Sequence, residues 1–300
     1  MKQTSATIGN ETKEGLRDKL FHILLVVALF LKQILAVAGN TIKEGLRNKL
    51  FYILLGVALL FLLLARGCMS GDMQIQSRQL TPDEVAAFGT TIGFHVIIFW
   101  GLTLAGLLSM GALLGDIETG VITVFISKPI SRFQYLVGKF VGISAVVLLN
   151  IAILGAGFFL LAYLKAGTWP FELFIALGVF TLNVFMLISF IFLVSLATAR
   201  IIAMVFGIVG YIFSVGIDIP FYFDAIRKGM EESGSVVTLT IFKVLYFAFP
   251  QWGSTQFYAA SFVSDLFGNS VMSFWPAIHT LVYTILFWLL MVLFFMRKEF

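Results

Sequence analysis

Charge is scarce in this chain of 300 residues. Asp, Glu, Lys and Arg make up 12% of it, 60% is hydrophobic, and the mean hydropathy is +1.00. A soluble domain carries about 25% charged residues, so this chain cannot cover a water-facing surface and reads as a membrane protein. Cysteine is almost absent. Cys68 stands alone, which excludes an internal disulfide and leaves the redox compartment open. No short apolar run ends in a small-residue cleavage site, so no removable signal peptide is expected.

Catalytic signatures are missing as well. A phosphate-cradling loop has the form GxxxxGK[ST], but the one Gly-Lys pair, Gly138-Lys139, is followed by Phe140 and has no glycine five residues upstream. ATP is therefore not expected to bind by that route. There is no HExxH, no GxSxG and no Cys/His cluster; His22, His95 and His279 are scattered. No metal, no cofactor and no nucleic-acid partner is expected, and an intramembrane hydrolase is poorly supported. Acids at membrane depth, the usual groups for proton or sodium coupling, are lacking too. Every Asp and Glu falls outside or at the edge of the apolar runs, with Glu172 and Asp218 at run ends. The polar residues left for a translocation path are His95, Asn150 and Asn183. An energy source must come from elsewhere.

What the chain has in abundance is long apolar runs. A spanning helix needs about 20 apolar residues, and the convincing stretches are 50–65, 87–112, 139–164, 172–196, 202–217 and 275–296. Between the last two, residues 218–274 hold two apolar pieces too short to span, 236–249 and 257–267, separated by Pro250. These read as re-entrant or interfacial segments, with a small folded cap as the alternative. Small residues recur every fourth position at Gly101, Ala105 and Ser109, and again at Gly138 and Gly142. Such faces let helices approach closely, here most simply within one chain.

A second abundance is repetition. "KEGLRDKLFHILL" (13–25) returns as "KEGLRNKLFYILL" (43–55), and residues 10–29 match 40–59 at 15 of 20 positions. No third copy follows, so this is a tandem duplication and not a solenoid. If 20–38 does not cross and six spans follow, 13 Lys and Arg face one side and six the other, with Lys32 set aside. If 20–38 also crosses, the split becomes 10 to 9 and the positive-inside bias vanishes. Residues 1–39 are therefore expected to be an extra interfacial or re-entrant copy, and 40–300 a six-span domain with both termini cytoplasmic. The amphipathic stretch with Lys43, Glu44, Arg47 and Lys49 would lie at the headgroup layer as an interfacial helix. The fold class is an all-α integral membrane bundle.

Loop 113–138 sits on the positive side. It places Asp116 and Glu118 beside an apolar run that breaks at Pro129, and Ser131 can cap the helix that begins at Arg132. A helix–break–helix hinge with charged tips suits a docking element for a soluble partner. Glu118, Gly120, "ITVFISKPISR" and "LVGKF" resemble the membrane permeases of ABC type-2 exporters, in particular the subgroup associated with multi-copper enzyme maturation. Val121 departs mildly from that pattern. The resemblance extends to "KEGLRNKLF", which matches the family's N-terminal elbow helix, and to the closing "RKEF". It covers about residues 40–300 and leaves 1–39 without a counterpart. It implies two six-span subunits in the inner membrane, each docking a separate ATP-hydrolysing subunit through Asp116, Glu118, Gly120, Pro129, Arg132 and Lys139. The chain itself would then be no enzyme, with ATP bound by its partner. An ATP-independent channel or carrier and a membrane assembly scaffold are the alternatives. The substrate is left open.

Overall fold

Asn48 divides the N-terminal part of the chain into two helices. α1 (Lys2–Arg47) holds the first copy of the repeat and the charged head of the second, and α2 (Lys49–Cys68) holds the second copy's apolar half. The Asn48 side-chain oxygen accepts the Leu50 N–H at 3.0 Å and so caps α2. A two-residue antiparallel ladder follows, β1 (Gln74–Ile75) with β2 (Arg78–Gln79). The remaining elements are α3 (Pro82–Ala112), α4 (Leu114–Glu118), α5 (Arg132–Ala166), α6 (Glu172–Ser195), α7 (Arg200–Tyr222), α8 (Asp224–Ser233), α9 (Val236–Ala248), α10 (Trp252–Ser261) and α11 (Trp275–Arg297). This computed structural model describes residues 2–68, 74–75, 78–79, 82–120, 130–166, 171–222, 224–233, 236–263 and 273–297. Pro129 and the apolar run before it lie outside the described residues.

Among the described residues, six stretches are long and apolar enough to cross a membrane: Phe21–Arg47, Phe88–Glu118, Arg132–Leu161, Glu172–Ser195, Arg200–Phe221 and Trp275–Arg297. The last five coincide with runs expected from sequence. The first lies in α1, whereas the run expected at 50–65 falls in a shorter apolar stretch, Lys49–Leu64.

Packing explains how α1 and α2 relate. Along α1, Ile34, Val37, Ala38, Thr41 and Gly45 are buried, a helical i, i+3, i+4, i+7 pattern, while Lys43, Glu44 and Arg47 face outward. That stripe meets α5. Phe30 stacks near Phe133, Val37 lies over Gly138, Thr41 over Gly142, and Gly45 against Val146. In α2, Leu59 then reaches Gly157. Partner numbers rise together on both sides, so α1 and α2 run alongside α5 in the same direction, as one rod broken at Asn48. The small face at Gly138 and Gly142 is thus filled within the chain. So is the one on α3, where Gly101 meets Ile151 of α5 and Phe180 of α6.

α6 forms the centre, packed by α3, α5, α7, α10 and α11. Phe180, Val184, Met186, Ile188 and Phe192 are fully buried there. Lipid tails are as apolar as these side chains, so close packing and dispersion hold the helices together, with little help from the hydrophobic effect.

Close approach at Gly142 yields a test. A Cβ there would stand 2.6 Å from Thr41 Cβ and 2.9 Å from the Ala38 carbonyl, whereas one at Gly56 meets nothing within 4 Å. Gly142→Leu should destabilise the protein by about 1–3 kcal/mol or more through overpacking. Gly56→Leu should be neutral or mildly stabilising, because leucine is the better helix former. Thermal unfolding of the detergent-solubilised variants checks both; equal melting temperatures would refute the α1–α5 contact.

Candidate functional site

The ends of loop 113–138 are each built from local chemistry. α3 breaks at Leu113 and resumes as the short α4, which stops because Gly120 adopts a left-handed φ of 70°. The Thr119 and Gly120 N–H groups then return to the carbonyls of Gly115 and Ile117. At the far end, Ser131 and Gln134 cap α5 reciprocally. The Ser131 N–H reaches Gln134 Oε1 at 2.8 Å, and the Gln134 N–H reaches Ser131 Oγ at 3.2 Å. The cap expected at Ser131 is therefore present.

These two ends bring charges together. Lys139, on the second turn of α5, is 4% exposed. Its Nζ lies 2.7 Å from a carboxylate oxygen of Asp116 on α4 and 3.4 Å from Glu44 on α1. Tyr135, one turn before Lys139, donates its hydroxyl to the same Asp116 oxygen. Asp116 is 8% exposed, so this is a buried ion pair with two satellites. Isolated in that position, the ammonium would be very costly; paired and hydrogen-bonded, it is tolerated and fixes geometry.

The other residues of the loop occupy separate places. Glu118 pairs with Arg200 at the start of α7, and both side chains are partly exposed. Arg132, at the start of α5, donates to the Met296 carbonyl of α11 at 3.3 Å. Asp116 and Lys139, grouped from sequence as partner-facing charges, face each other. Lys43, Arg47 and Lys49 are exposed.

Residues 6–300 match the family described as ABC-2 family transporter protein. The chain belongs to that family. It is a multi-pass membrane permease component of an ABC transporter, not itself catalytic, and the family implies an ATPase partner. The match begins at residue 6 and so takes in most of the segment left without a counterpart by the sequence resemblance. A comparison with curated proteins finds no match.

The permease carries a second constellation that the sequence did not reveal. Between α9 and α10 the backbone leaves the helix around Pro250, and its carbonyls need partners. Tyr283 donates to the Ala248 carbonyl at 2.6 Å, Ser214 to Pro250 at 2.5 Å, Thr280 to Gln251 at 3.3 Å and Asn183 to Trp252 at 3.1 Å. His279 Nε2 lies 3.2 Å from the Phe247 carbonyl. Asp218 accepts the Ser254 N–H at 2.8 Å, so a carboxylate from α7 caps α10. Asp218 lies near the C-terminal end of α7, as its place at the end of an apolar run implies, and is 2% exposed. The readable signal was Ser214 and Asp218, four apart on one face of an apolar helix. Of the three path candidates, Asn183 ties α6 to this turn and Asn150 is buried in α5 with its Nδ2 unpartnered among the described residues. His95 lines a lateral cavity. The structure does not bring the three together.

Removing one member of a buried pair leaves the other charge uncompensated, which costs about 3–5 kcal/mol. Asp116→Asn and Lys139→Met should each lower thermal stability markedly, whereas Asp116→Leu with Lys139→Met should recover most of the loss. Unfolding of the four proteins tests this. Single substitutions that spare stability yet weaken ATPase binding would instead make these residues docking contacts.

Proposed function

We propose that the permease forms the translocation path of an ATP-driven exporter, working as one of a pair of subunits in the inner membrane, and that loop 113–138 docks the separate ATPase. One observation carries this reading. The Asp116–Lys139–Glu44 cluster ties both ends of the loop to each other and to α1. A push on the loop then moves α3–α4, α5 and α1 as one body instead of being absorbed by a slack connector. Glu118 and Arg200 extend the same linkage to α7. ATP closure in the partner would supply the displacement, which fits a chain without a phosphate loop of its own. The path would run between helices of the two subunits.

Orientation follows from charge. With the loop cytoplasmic, the excess of Lys and Arg lies on that side and both termini are inside. In cells expressing the permease with Cys68 removed, a membrane-impermeant maleimide should label a cysteine at position 231, on the exposed face of α8, and spare cysteines at positions 5 and 119. Labelling at 5 would mean that the first repeat copy crosses.

Glu118 separates docking from internal bracing. An exposed pair is worth about 0–1 kcal/mol, but a charge desolvated at an interface costs about 2–5 kcal/mol when its partner is left alone. Glu118→Ala should therefore reduce ATPase recovery on co-purification by about thirtyfold or more. The exchange Glu118→Arg with Arg200→Glu rebuilds the internal pair and should fail to restore recovery. Full rescue by the exchange would make Glu118 an internal brace alone, and the docking role would fall.

A further inference from the structure

A cavity of about 650 Å³ opens on the flank of the bundle between α3 and α7. Its floor is Leu187 and Ile191 of α6, and its walls include Leu102 and Gly106 of α3 with Met204 and Ile208 of α7. α3 leads into α4, whose Glu118 meets Arg200 at the start of α7, so α3 and α7 run antiparallel. Moving along α3 from Gly106 back to His95 is then moving along α7 from Met204 towards Tyr211. At 1.5 Å per residue, those eleven residues span about 16 Å. The cavity is elongated and runs with the helices.

Its two ends differ in chemistry. Towards Gly106 and Met204 the lining is apolar apart from Thr103, whose hydroxyl is already donated to the Phe99 carbonyl at 2.7 Å. Towards the other end stand His95, Tyr211 and Gln256, the last reaching down from α10. His95 Nδ1 lies 2.8 Å from the Thr91 carbonyl, a contact that places a proton on Nδ1 and leaves Nε2 as an acceptor in the neutral ring. Tyr211 donates to Gln256 Oε1, which leaves the Gln256 amide nitrogen as a donor. The lining contains no Asp, Glu, Lys or Arg among the described residues. A charged head would lie here without a counter-charge. A head with one donor and one acceptor would be satisfied. The lips carry Phe99, Ile208 and Ile212, all exposed on the flank, so entry is from the lipid side.

We propose that this cavity binds a neutral amphiphile: one hydrocarbon chain laid between α3 and α7, with a small uncharged head of the hydroxyl or amide class held by His95 and Gln256. This rests on the permease reading only in making that molecule the cargo; the binding itself needs no ATPase. Its occupancy by ordinary charged bilayer phospholipid is the opposing possibility.

The test uses the full-length permease in nanodiscs of zwitterionic and anionic phospholipid, without its ATPase. A long-chain alcohol carrying a diazirine on its chain is photolysed in place and the cross-linked peptides are mapped. Labelling should saturate and concentrate on α3 and α7. Unlabelled hexadecanol should compete at least about tenfold better than hexadecyl phosphate, whose charge would lie without a partner. Gly106→Leu should abolish the saturable part. A Cβ at Gly106 meets only Ile191 Cδ1 at 3.8 Å, so the added bulk enters the cavity without a clash. Gln256→Leu should keep the labelling and weaken competition by hexadecanol about tenfold, because the donor to its hydroxyl is lost. Labelling spread over α2 and α11 in proportion to their exposure overturns the proposal, as does equal competition by the phosphate. If Gly106→Leu fails to fold, the competition ratio and the Gln256→Leu result decide alone. Absence of saturable labelling would sink the site; the permease reading is judged separately, by whether adding the permease stimulates hydrolysis by the purified partner ATPase.

Discussion

A lysine that is almost wholly enclosed dictates the architecture of the loop-bearing end. Lys139 cannot stay charged away from water without anions around it, and Asp116 and Glu44 arrive from two other helices to provide them. Each arrival requires something further. Asp116 reaches inward because α3 breaks at Leu113 and α4 turns before Gly120 reverses the chain. Glu44 comes within range because Gly138 and Gly142 flank Lys139 with no side chain, and α1 settles into the gap through Val37 and Thr41. Tyr135 completes the shell one turn earlier. The glycines, the helix break and the charges are one device, and none of them is explained without the others.

α7 links this end of the bundle to the other. At its start, Arg200 holds Glu118, and further along Ser214 and Asp218 hold the carbonyl of Pro250 and the first turn of α10. A Cβ on Gly253 would stand 2.8 Å from the Val215 backbone, so α10 lies directly on α7 with no room for a side chain between them. A helix anchored by polar contacts at both ends, with Gly207 over Ile191 midway, is suited to move as a rigid strut. Its central stretch walls the lateral cavity, so any displacement of α7 changes that cavity's width.

The helices were legible because their composition leaves little choice. Runs of apolar residues bounded by Arg132, Glu172, Arg200 and Arg297 read as spans with or without a fold. The Ser131 cap was legible because its geometry is local. Pairings across the sequence were not. Asp116 and Lys139 are 23 positions apart in a charged stretch, and a charge in a loop ordinarily faces water, so nothing local in the sequence marks them as a pair. Asn183 and His279 looked like isolated polar residues in apolar runs. Their purpose depends on carbonyls exposed by a chain break at Pro250, on a segment far off in sequence. Arg200 stands at the edge of an apolar run, and its partner Glu118 is 82 positions away.

The two copies of the repeat meet different surroundings. The same residue type sits in opposite settings: Phe51 is 3% exposed and its counterpart Phe21 is 63% exposed. One slot exists beside α5 and the second copy fills it. Sliding the first copy in by 30 residues would set Glu11 where Thr41 presses on Gly142, and Ile8 where Ala38 is 3% exposed. Further along it would set Lys32 at the place of Leu62, which is 1% exposed. A carboxylate and an ammonium would each lose water there without a built partner, and the isoleucine would overpack a close contact. The identical residues, Glu14 for Glu44 and Gly15 for Gly45 among them, are not enough to offset that. So one position inside the repeat and two flanking it disfavour the first copy in that slot, and the apolar stretch from Phe21 to Leu29 stays exposed.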